Sequence, residues 1–293
     1  ANAASRAGTE IQLKSGDKFT VEELLYATAL ASANDAAVAL AEYVAGSEQE
    51  FARLMTKRAR ELGLKDTNFV DATGLLSIYS GNYSTAYEMA LLSRFAMQND
   101  LFRRFVSTKE YHLKPQNKTI RNSNALLHEV EGVNGIKTGA TTPAGHTLIT
   151  SVTREGRSLI VVVLGAPSRE VRNNESEALV EYAYDQLEIV IPKDELIAKV
   201  NVPDGVTYLV GAVLKQDLSI FVFDNADRQI ETKVELNRVR APIEKGDKVG
   251  ELIILRAGDE FGRMDLVADQ GTGVASFLRR IWNWIYQFFA KLF

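Results

Sequence analysis

Apolar positions in about the first hundred residues repeat with a helical period, and capping signals stand in front of them. A Thr or Ser followed three residues later by Glu precedes apolar runs at Thr20, Ser47 and Thr85. Such a pair satisfies free N–H groups at the start of a helix, so each one predicts a helix N-terminus. The predicted helices run from residue 20 past Ala29 and over 35–44, 51–62 and 89–97. This part of the chain is expected to be mainly helical.

Beyond about residue 105 the pattern changes to short apolar runs separated by turn residues. Runs over 132–137, 146–153 and 158–164 predict three strands of one sheet, and the Glu-Gly-Arg sequence at 155–157 predicts a hairpin between the last two. The next periodic segment, 174–187, predicts a helix that covers a face of this sheet. The expected fold class is α+β, with a helical cluster beside an antiparallel sheet.

Between residues 189 and 270 the apolar residues alternate with polar ones. The alternating segments predict strands, and the residues between them include Gly and Asp, which favour turns. The segments cover 198–202, 207–213, 218–223 and 233–240. This spacing is typical of a small all-β domain, and the domain contains no constellation of catalytic side chains.

Residues 271–293 carry a helical pattern that divides into two faces. At roughly 3.6 residues per turn, the apolar residues fill one half of the circumference and the polar residues the other. The apolar half contains Phe277, Leu278, Ile281, Trp282, Trp284, Ile285, Phe288, Phe289, Leu292 and Phe293. The segment has basic but no acidic side chains, and polar residues interrupt it too often for a transmembrane span. It predicts an anchor on a membrane surface; the alternative is a helix docked on the protein's own core or on a partner.

Composition narrows the possible functions. The 293 residues contain 34 basic and 38 acidic side chains, a net charge of −4, without a basic run that could follow a phosphate backbone, so a nucleic-acid partner is not expected. The absence of cysteine excludes disulfides and thiolate chemistry and is compatible with export. No His pair at ligand spacing and no Asp-rich loop indicates a metal, so the expected chemistry needs no cofactor.

Two tripeptides carry the candidate chemistry. Lys137-Thr138-Gly139 lies on a predicted strand, where it can present an ammonium group and a hydroxyl beside a small residue that admits a substrate backbone. Ser32 and Asn34 lie between two predicted helices, and their side chains can face the same cleft from the opposite wall. Alone, each tripeptide is weak, because Lys-Thr-Gly occurs by chance and Ser-Ala-Asn could simply cap the following helix. Their order and their predicted elements together are far more specific.

The two tripeptides resemble signatures of the penicillin-recognising serine acyl-transferases. The chain is similar to the serine D-alanyl-D-alanine carboxypeptidases of the peptidase S11 type, the low-molecular-mass penicillin-binding proteins. Further stretches look like family blocks in family order, at 30–37, 61–69, 83–86 and 135–139. A β-rich second domain and an amphipathic tail also fit that family, so the resemblance covers essentially the whole chain.

The resemblance implies a role for each matching residue. Ser32 would relay a proton between nucleophile and leaving group, and Asn34 would hold the substrate amide. Lys137 and Thr138 would bind the terminal carboxylate of the substrate and line the oxyanion region. Gly139 would permit the close approach of the substrate backbone. The implied catalytic residues are thus Ser32, Asn34 and Lys137, with Thr138 and Gly139 in substrate binding.

Two further positions match the family loosely or depart from it. Arg172 occupies a position similar to a family Arg near the substrate carboxylate, with an ordinary surface Arg as the alternative. The nucleophile motif Ser-x-x-Lys occurs once, at 15–18, where Gly and Asp are turn residues that precede a helix. The resemblance therefore places the nucleophile on an N-terminal family segment that these residues do not contain, and the chain is expected to be an N-terminal truncation.

The resemblance implies a peripheral enzyme of peptidoglycan maturation on the extracytoplasmic face of the bacterial membrane. It would remove the terminal D-Ala from a peptidoglycan stem pentapeptide through an acyl-enzyme, and β-lactams would acylate the same serine. The alternatives are a β-lactamase or D,D-endopeptidase of the same superfamily and a non-catalytic wall-binding scaffold. The expected domains are 1–188 for the peptidase, 189–270 for the β-rich domain and 271–293 for the membrane anchor.

Overall fold

The computed structural model describes residues 2–75 and 81–290, and the side chains of 225, 226 and 285–290 lie outside this description. The chain divides into two compact units, Ala1–Tyr182 and Ala183–Phe293. The first unit mixes helices with an antiparallel sheet, and the second is built from strands followed by a terminal helix. The predicted fold class is confirmed.

Three helices of the first unit begin where the capping signals predict. The helices of this unit are α1 (Val21–Leu30), α2 (Asn34–Ala45), α3 (Glu48–Glu61), α4 (Ala86–Ala96), α5 (Asp100–Ser107), α6 (Leu126–Glu129) and α7 (Arg169–Asp185). Thr20 and Glu23 form a complete capping box, in which the Thr20 hydroxyl accepts the Glu23 N–H and the Glu23 carboxylate accepts the Thr20 N–H. Ser47 and Thr85 cap α3 and α4 through their hydroxyl groups. Helices α5 and α6 were not predicted; the cap of α5 is the side chain of Asn99.

The strands of the first unit form a hairpin and a separate sheet. The hairpin consists of β1 (Glu110–Leu113) and β2 (Lys118–Arg121), and the sheet of β3 (Val133–Thr141), β4 (Gly145–Arg154) and β5 (Arg157–Ala166). The sheet is antiparallel in the order β3-β4-β5, which confirms the three predicted strands and the turn at 155–156. Strand β3 is therefore an edge, with no second strand partner among the described residues.

The core of the first unit packs one side of α1 against α5 and the hairpin. Tyr26 stacks on Tyr111 with ring centroids 3.8 Å apart and meets Phe105 edge to face at 4.7 Å. Ala27 and Leu30 are fully buried beside them. Because Leu30 ends α1, this packing fixes the position of the segment that follows it.

Strands and one terminal helix make up the second unit. They are β6 (Leu187–Ile191), β7 (Leu196–Asn201), β8 (Leu209–Leu214), β9 (Leu218–Phe221), β10 (Ile230–Leu236), β11 (Lys248–Arg256), β12 (Asp259–Ala268) and α8 (Phe277–Ala290). Five of them form a sheet in the order β10-β11-β12-β8-β7, and β6 pairs with β9. Their inward side chains, such as Val210, Leu252 and Leu266, form the core. The long β11–β12 hairpin and β6 were not predicted.

The helix predicted over 174–187 is wrong at both ends. The Ser168 hydroxyl accepts the Val171 N–H at 3.1 Å, so α7 starts with Arg169, five positions before the predicted start. Leu187, predicted to be helical, opens β6 opposite Phe221. A local cap decides the first boundary, and pairing with a strand distant in sequence decides the second.

Candidate active site

Ser32 occupies a left-handed turn between α1 and α2. Its φ is +57°, a region that side chains other than Gly rarely adopt, and it is partly exposed. The Ala31 and Ala33 N–H groups both donate to the carbonyl of Ala27, so the chain tightens at the end of α1 before it reverses. The tertiary structure therefore holds Ser32 in a costly conformation, as is common at functional sites.

Asn34 is the first residue of α2, and its side chain does not cap that helix. The N-cap is Ala33, which has no side-chain cap. The Asn34 side chain is only 7% exposed, and its Nδ2 donates to the carbonyl of Ala7 at 3.1 Å. Gly8 passes so close that an added Cβ would lie 2.7 Å from Asn34 Nδ2. The helix-cap alternative for this tripeptide is thus excluded.

The neighbouring Asp35 explains why this turn is firmly held. Its carboxylate accepts the N–H groups of Ile11 at 3.2 Å and Leu13 at 2.9 Å, and also that of Ala36. Asp35 is 1% exposed. It ties the N-terminal segment to the start of α2 and so helps to fix the conformation of Ser32 and Asn34.

Lys137, Thr138 and Gly139 lie on the edge strand β3. Lys137 pairs with Ile149 of β4, and its Nζ donates to the carbonyl of Thr138 at 3.0 Å. Because β3 has a free edge within the described part of the chain, an extended peptide can add to it as a further antiparallel strand. The ammonium group and the Thr138 hydroxyl then lie beside that peptide.

The electrostatics of Lys137 are set by burial and by a second cation. Burial of its ammonium group, followed by the positive charge of Arg172, lowers the pKa of Lys137 to about 8. About nine tenths of the group is still protonated at pH 7, so it can hold an anionic substrate end. Strongly shifted pKa values of this kind, caused by desolvation and a specific neighbouring charge, cluster at functional sites.

Arg172 is not a surface residue. It is 3% exposed, and its Nε and Nη2 donate to Asn173 Oδ1 at 3.1 and 2.7 Å. Burial and the positive charge of Arg169 lower the pKa of its guanidinium. The structure therefore places a buried second cation near Lys137, which excludes the alternative of an ordinary surface Arg.

Ser123 links the Lys137 tripeptide to the end of α1, two residues before Ser32, and the sequence analysis missed it. Its N–H donates to the carbonyl of Leu30 at 2.9 Å, at the end of α1, and its Oγ lies 2.7 Å from Thr138 Oγ1. The adjacent Asn124 donates from its side chain to the carbonyl of Gly135 at 3.1 Å. The loop at 122–124 thereby joins the Ser32 wall to strand β3. The sequence signal that could have indicated this role is the polar Asn-Ser-Asn run at these positions.

The side chain of Thr147, on the neighbouring strand, leaves no room for a Cβ at Gly139. It pairs with Thr147 of β4, and an added Cβ at Gly139 would lie 2.6 Å from Thr147 Oγ1. Any side chain there would have to displace the Thr147 side chain. The absence of a Cβ therefore serves packing within the sheet, whether or not a substrate also approaches this position.

The remaining candidates lie apart from this arrangement. Ser15 and Lys18 are exposed, in a turn where the Lys14 N–H donates to Asp17 Oδ2 at 2.8 Å. His146 is the second residue of β4, in agreement with its predicted strand position, and no hydrogen bond reaches its buried Nδ1 in the described structure. No cluster of three or more His, Cys, Asp or Glu that could hold a metal occurs among the residues described.

The predicted anchor residues that the structure describes are exposed on α8. Phe277, Ile281, Trp282 and Trp284 all face solvent, with Trp282 63% exposed. The side chains of Ile285, Phe288 and Phe289 lie outside the described part, as do Leu292 and Phe293. Within 2–75 and 81–290, no helix is both long and apolar enough to cross a bilayer.

Asn283, on the polar face of α8, is the point at which the helix is held. It is 2% exposed, and its Nδ2 donates to the carbonyls of Pro203 at 3.1 Å and Gly205 at 2.9 Å. The helix thus rests on its own unit by its polar face. This attachment agrees in part with the alternative prediction of a helix docked on the protein itself, but the residue that makes it is polar, and the apolar side chains Phe277, Ile281, Trp282 and Trp284 stay exposed.

Comparison with known proteins identifies the class. Residues 1–168 match the family model of D-alanyl-D-alanine carboxypeptidases, and residues 186–272 match that of the penicillin-binding protein 5 C-terminal domain. The chain is 32% identical to D-alanyl-D-alanine carboxypeptidase DacF of Bacillus subtilis over 95% of this chain and 74% of that protein. It is also 32% identical to DacC of Escherichia coli, covering 100% of this chain and 74% of that protein.

Solved structures agree with this assignment. A D-alanyl-D-alanine carboxypeptidase DacD from Francisella tularensis has a TM-score of 0.62 and 26% identity, covering 94% of this chain and 80% of that one. The peptidoglycan synthesis regulatory factor PBP3 of Streptococcus pneumoniae has a TM-score of 0.69 and 25% identity, covering 92% and 81%. The chain belongs to the D-alanyl-D-alanine carboxypeptidase family.

Proposed function

We propose that this protein acts as a serine D-alanyl-D-alanine carboxypeptidase on peptidoglycan stem peptides. A serine would attack the carbonyl of the penultimate D-Ala, release the terminal D-Ala and leave an acyl-enzyme that water hydrolyses. β-Lactams would acylate the same serine. The observation that carries the proposal is the position of Lys137 and Thr138 on a strand edge that has no strand partner among the described residues, linked through Ser123 to the end of α1, which leads into the Ser32 turn.

The geometry gives each residue a place in that reaction. A stem peptide would add along β3, with its terminal carboxylate near Lys137 and Arg172. Ser32 would pass a proton between the nucleophile and the departing amine. Asn34, whose Nδ2 donates to the carbonyl of Ala7 in this structure, would exchange that hydrogen bond to hold the substrate amide. The nucleophile belongs to the Ser-x-x-Lys motif of the family, and the one such motif in these 293 residues, Ser15 to Lys18, is an exposed turn.

The proposal includes a location outside the cytoplasm, where peptidoglycan is matured. There the protein would lie on the membrane surface through the exposed aromatic side chains of α8. Trp and Phe on one side of a short helix, with Arg beside them, suit the interface between headgroups and acyl chains. The anchoring of α8 by the buried Asn283 leaves that aromatic side free for the bilayer.

Covalent labelling with a fluorescent penicillin, read by intact mass, tests the enzymatic part. Two proteins are compared: the 293-residue chain, and an extended chain that carries a family Ser-x-x-Lys segment ahead of Ala1. We expect labelling of the extended chain alone, because the described chain has no Ser-x-x-Lys on a helix. Labelling of neither would contradict the proposal and favour a wall-binding scaffold. Labelling of the shorter chain at Ser15 would show that the nucleophile is wrongly assigned.

A further inference from the structure

A basic cavity lies at the open seam of the five-stranded sheet in the second unit. Because the strand order is β10-β11-β12-β8-β7, strands β10 and β7 are its two edges. The sheet curls until parts of these edges come within 8 Å of each other, measured between Cα atoms. A cavity of about 830 Å³ opens there, lined by residues that include Lys199, Arg238, Arg240 and Arg280.

Within the described part of the chain, the positive charges of this cavity are not balanced by ion pairs with neighbouring carboxylates. In the described structure none of the four forms an ion pair with a carboxylate, whereas Lys248 of the same unit pairs with both Glu251 and Asp265. Among the described residues, Asp204 is the one carboxylate that lines the cavity, and its Oδ1 accepts the N–H of Ala241 at 2.9 Å. All four cationic side chains are exposed, so a ligand can reach them. The result is a local positive potential on a chain of net charge −4.

Helix α8 forms one wall of the cavity. Arg280 and Trp284 lie one turn apart on the same edge of the helix, and both line the cavity. The Arg280 Nε donates to the carbonyl of Ala275 at 3.1 Å, which orients its guanidinium. The exposed Phe277 and Ile281 lie next to Trp284 on the surface of α8, and the exposed Trp282 lies farther round the helix. A basic cavity and an aromatic surface are therefore joined by one helix whose attachment, through Asn283, is fixed.

We propose that this cavity binds the phosphodiester headgroup of an anionic glycerophospholipid. Guanidinium groups donate paired hydrogen bonds to phosphate oxygens, and the two Asn side chains that line the cavity, Asn201 and Asn237, can bind the hydroxyl groups of a glycerol. The aromatic side of α8 would lie at the acyl boundary while the cations reach the phosphate level. This inference rests on the membrane-surface part of the proposed function and adds the lipid class and its site.

Two double variants of equal charge change test the site. Arg238→Gln with Arg240→Gln removes two cations from the cavity. Lys215→Gln with Lys245→Gln removes two exposed cations of the same unit that do not line it, and serves as the matched control. Binding of the 293-residue chain to phosphatidylglycerol and phosphatidylcholine vesicles is followed by Trp fluorescence. Circular dichroism verifies that each variant is folded.

We expect the cavity variant to bind phosphatidylglycerol vesicles about 30-fold more weakly, and the control variant less than about threefold more weakly. If the two variants lose the same amount of vesicle affinity, the proposed lipid site is overturned, because general attraction to a charged surface would then explain binding. Calorimetry with inorganic phosphate and with soluble glycerophosphoglycerol distinguishes a membrane lipid from a free phosphate compound as the ligand. If either compound binds as tightly as vesicles do, the cavity is assigned to a free phosphate ligand instead. No vesicle binding by the unmodified chain would overturn both the site and the membrane anchor, while penicillin labelling of the extended chain would still support the enzyme.

Discussion

The two units of this protein place cationic side chains in opposite surroundings. In the first unit, the ammonium group of the partly buried Lys137 lies near the buried Arg172, and burial lowers the pKa of both groups. In the second, the exposed Arg263 lies among Glu235, Glu251 and Glu260, and hydrogen bonds to Glu260 and then Glu251 raise the pKa of its guanidinium. A buried cation without a carboxylate partner costs stability, whereas an exposed ion pair contributes little. Folding stability therefore does not account for this pair of cations, which agrees with their proposed role in holding the carboxylate of a substrate.

The largest expected effect comes from Lys137→Met. In the extended chain, acylation by penicillin should fall roughly 10²- to 10³-fold, because an oriented cation at the substrate carboxylate and oxyanion region is lost. Lys118→Met, at an exposed position of β2, is the control and should leave acylation unchanged. Similar acylation by wild type and Lys137→Met would remove Lys137 from the site.

The same substitution should stabilise the protein. Since the pKa of Lys137 is lowered to about 8, the folded state loses this proton before the unfolded state does, and stability rises between about pH 8 and the ordinary value of 10.5. Replacing Lys137 by Met should raise the free energy of unfolding by about 1–3 kcal/mol at pH 7, and by less at higher pH. Urea unfolding of the 293-residue chain at several pH values measures this; a loss of stability at pH 7 would contradict the comparison.

Arg172→Met tests whether the positive charge of Arg172 acts on Lys137. Removing its positive charge should raise the pKa of Lys137 above about 8, although burial, the larger cause, remains. Substrate binding that needs the Lys137 ammonium group should then persist to higher pH. The alkaline limb of the profile of kcat/KM against pH for D-Ala release should move upward, and a limb that stays in place or moves downward would show that Arg172 does not act on Lys137.

A double substitution distinguishes two roles of Gly139, namely packing against Thr147 and close approach of the substrate backbone. Gly139→Ala should cost about 1–3 kcal/mol of stability, because its Cβ would lie 2.6 Å from Thr147 Oγ1. Adding Thr147→Ala should restore most of that stability, measured by urea unfolding. If acylation of the extended chain stays low in the stable double variant, Gly139 is also needed for approach of the substrate; if acylation recovers, its role is packing alone.

The smallest effect is expected at Arg263 in the second unit. Arg263→Gln removes an exposed cation from its three carboxylate neighbours, and solvent and salt screen such pairs. The Tm should change little, and less at high salt than at low salt. A large drop in Tm, comparable to that of Gly139→Ala, would mean that the ion pairs of the second unit hold its fold.

Local signals predicted much of the fold. The capping residues Thr20, Ser47 and Thr85 mark helix starts because a side chain and a backbone N–H three residues apart meet within one turn. The strands β3, β4 and β5 follow from continuous apolar runs and a turn of Glu and Gly residues. Boundaries set by distant pairing, such as that of Leu187 with Phe221, have no local signal and were missed.

The candidate site also divides into features that local sequence signals predict and features that depend on residues distant in sequence. The tripeptides containing Ser32 and Lys137 could be recognised from residue types, order and predicted elements. The burial of Arg172, the left-handed turn at Ser32 and the link through Ser123 depend on tertiary packing, which no short sequence window contains. In the tail, Asn283 is absent from the apolar half of the predicted helix and so belongs to its polar half, but only the structure shows that this polar residue is buried.

Substrate discrimination by the extended chain tests the central claim most directly. D-Ala release is measured from a stem pentapeptide, and release of D-alaninamide from the same peptide ending in a carboxamide, for wild type and for Lys137→Met. We expect wild type to prefer the free carboxylate by roughly 10²-fold in kcat/KM, since a cation in a partly dry site favours an anion by a few kcal/mol, and the variant to lose most of that preference. An equal preference in both proteins would show that the terminal carboxylate is held elsewhere, and would contradict the assignment of this cleft.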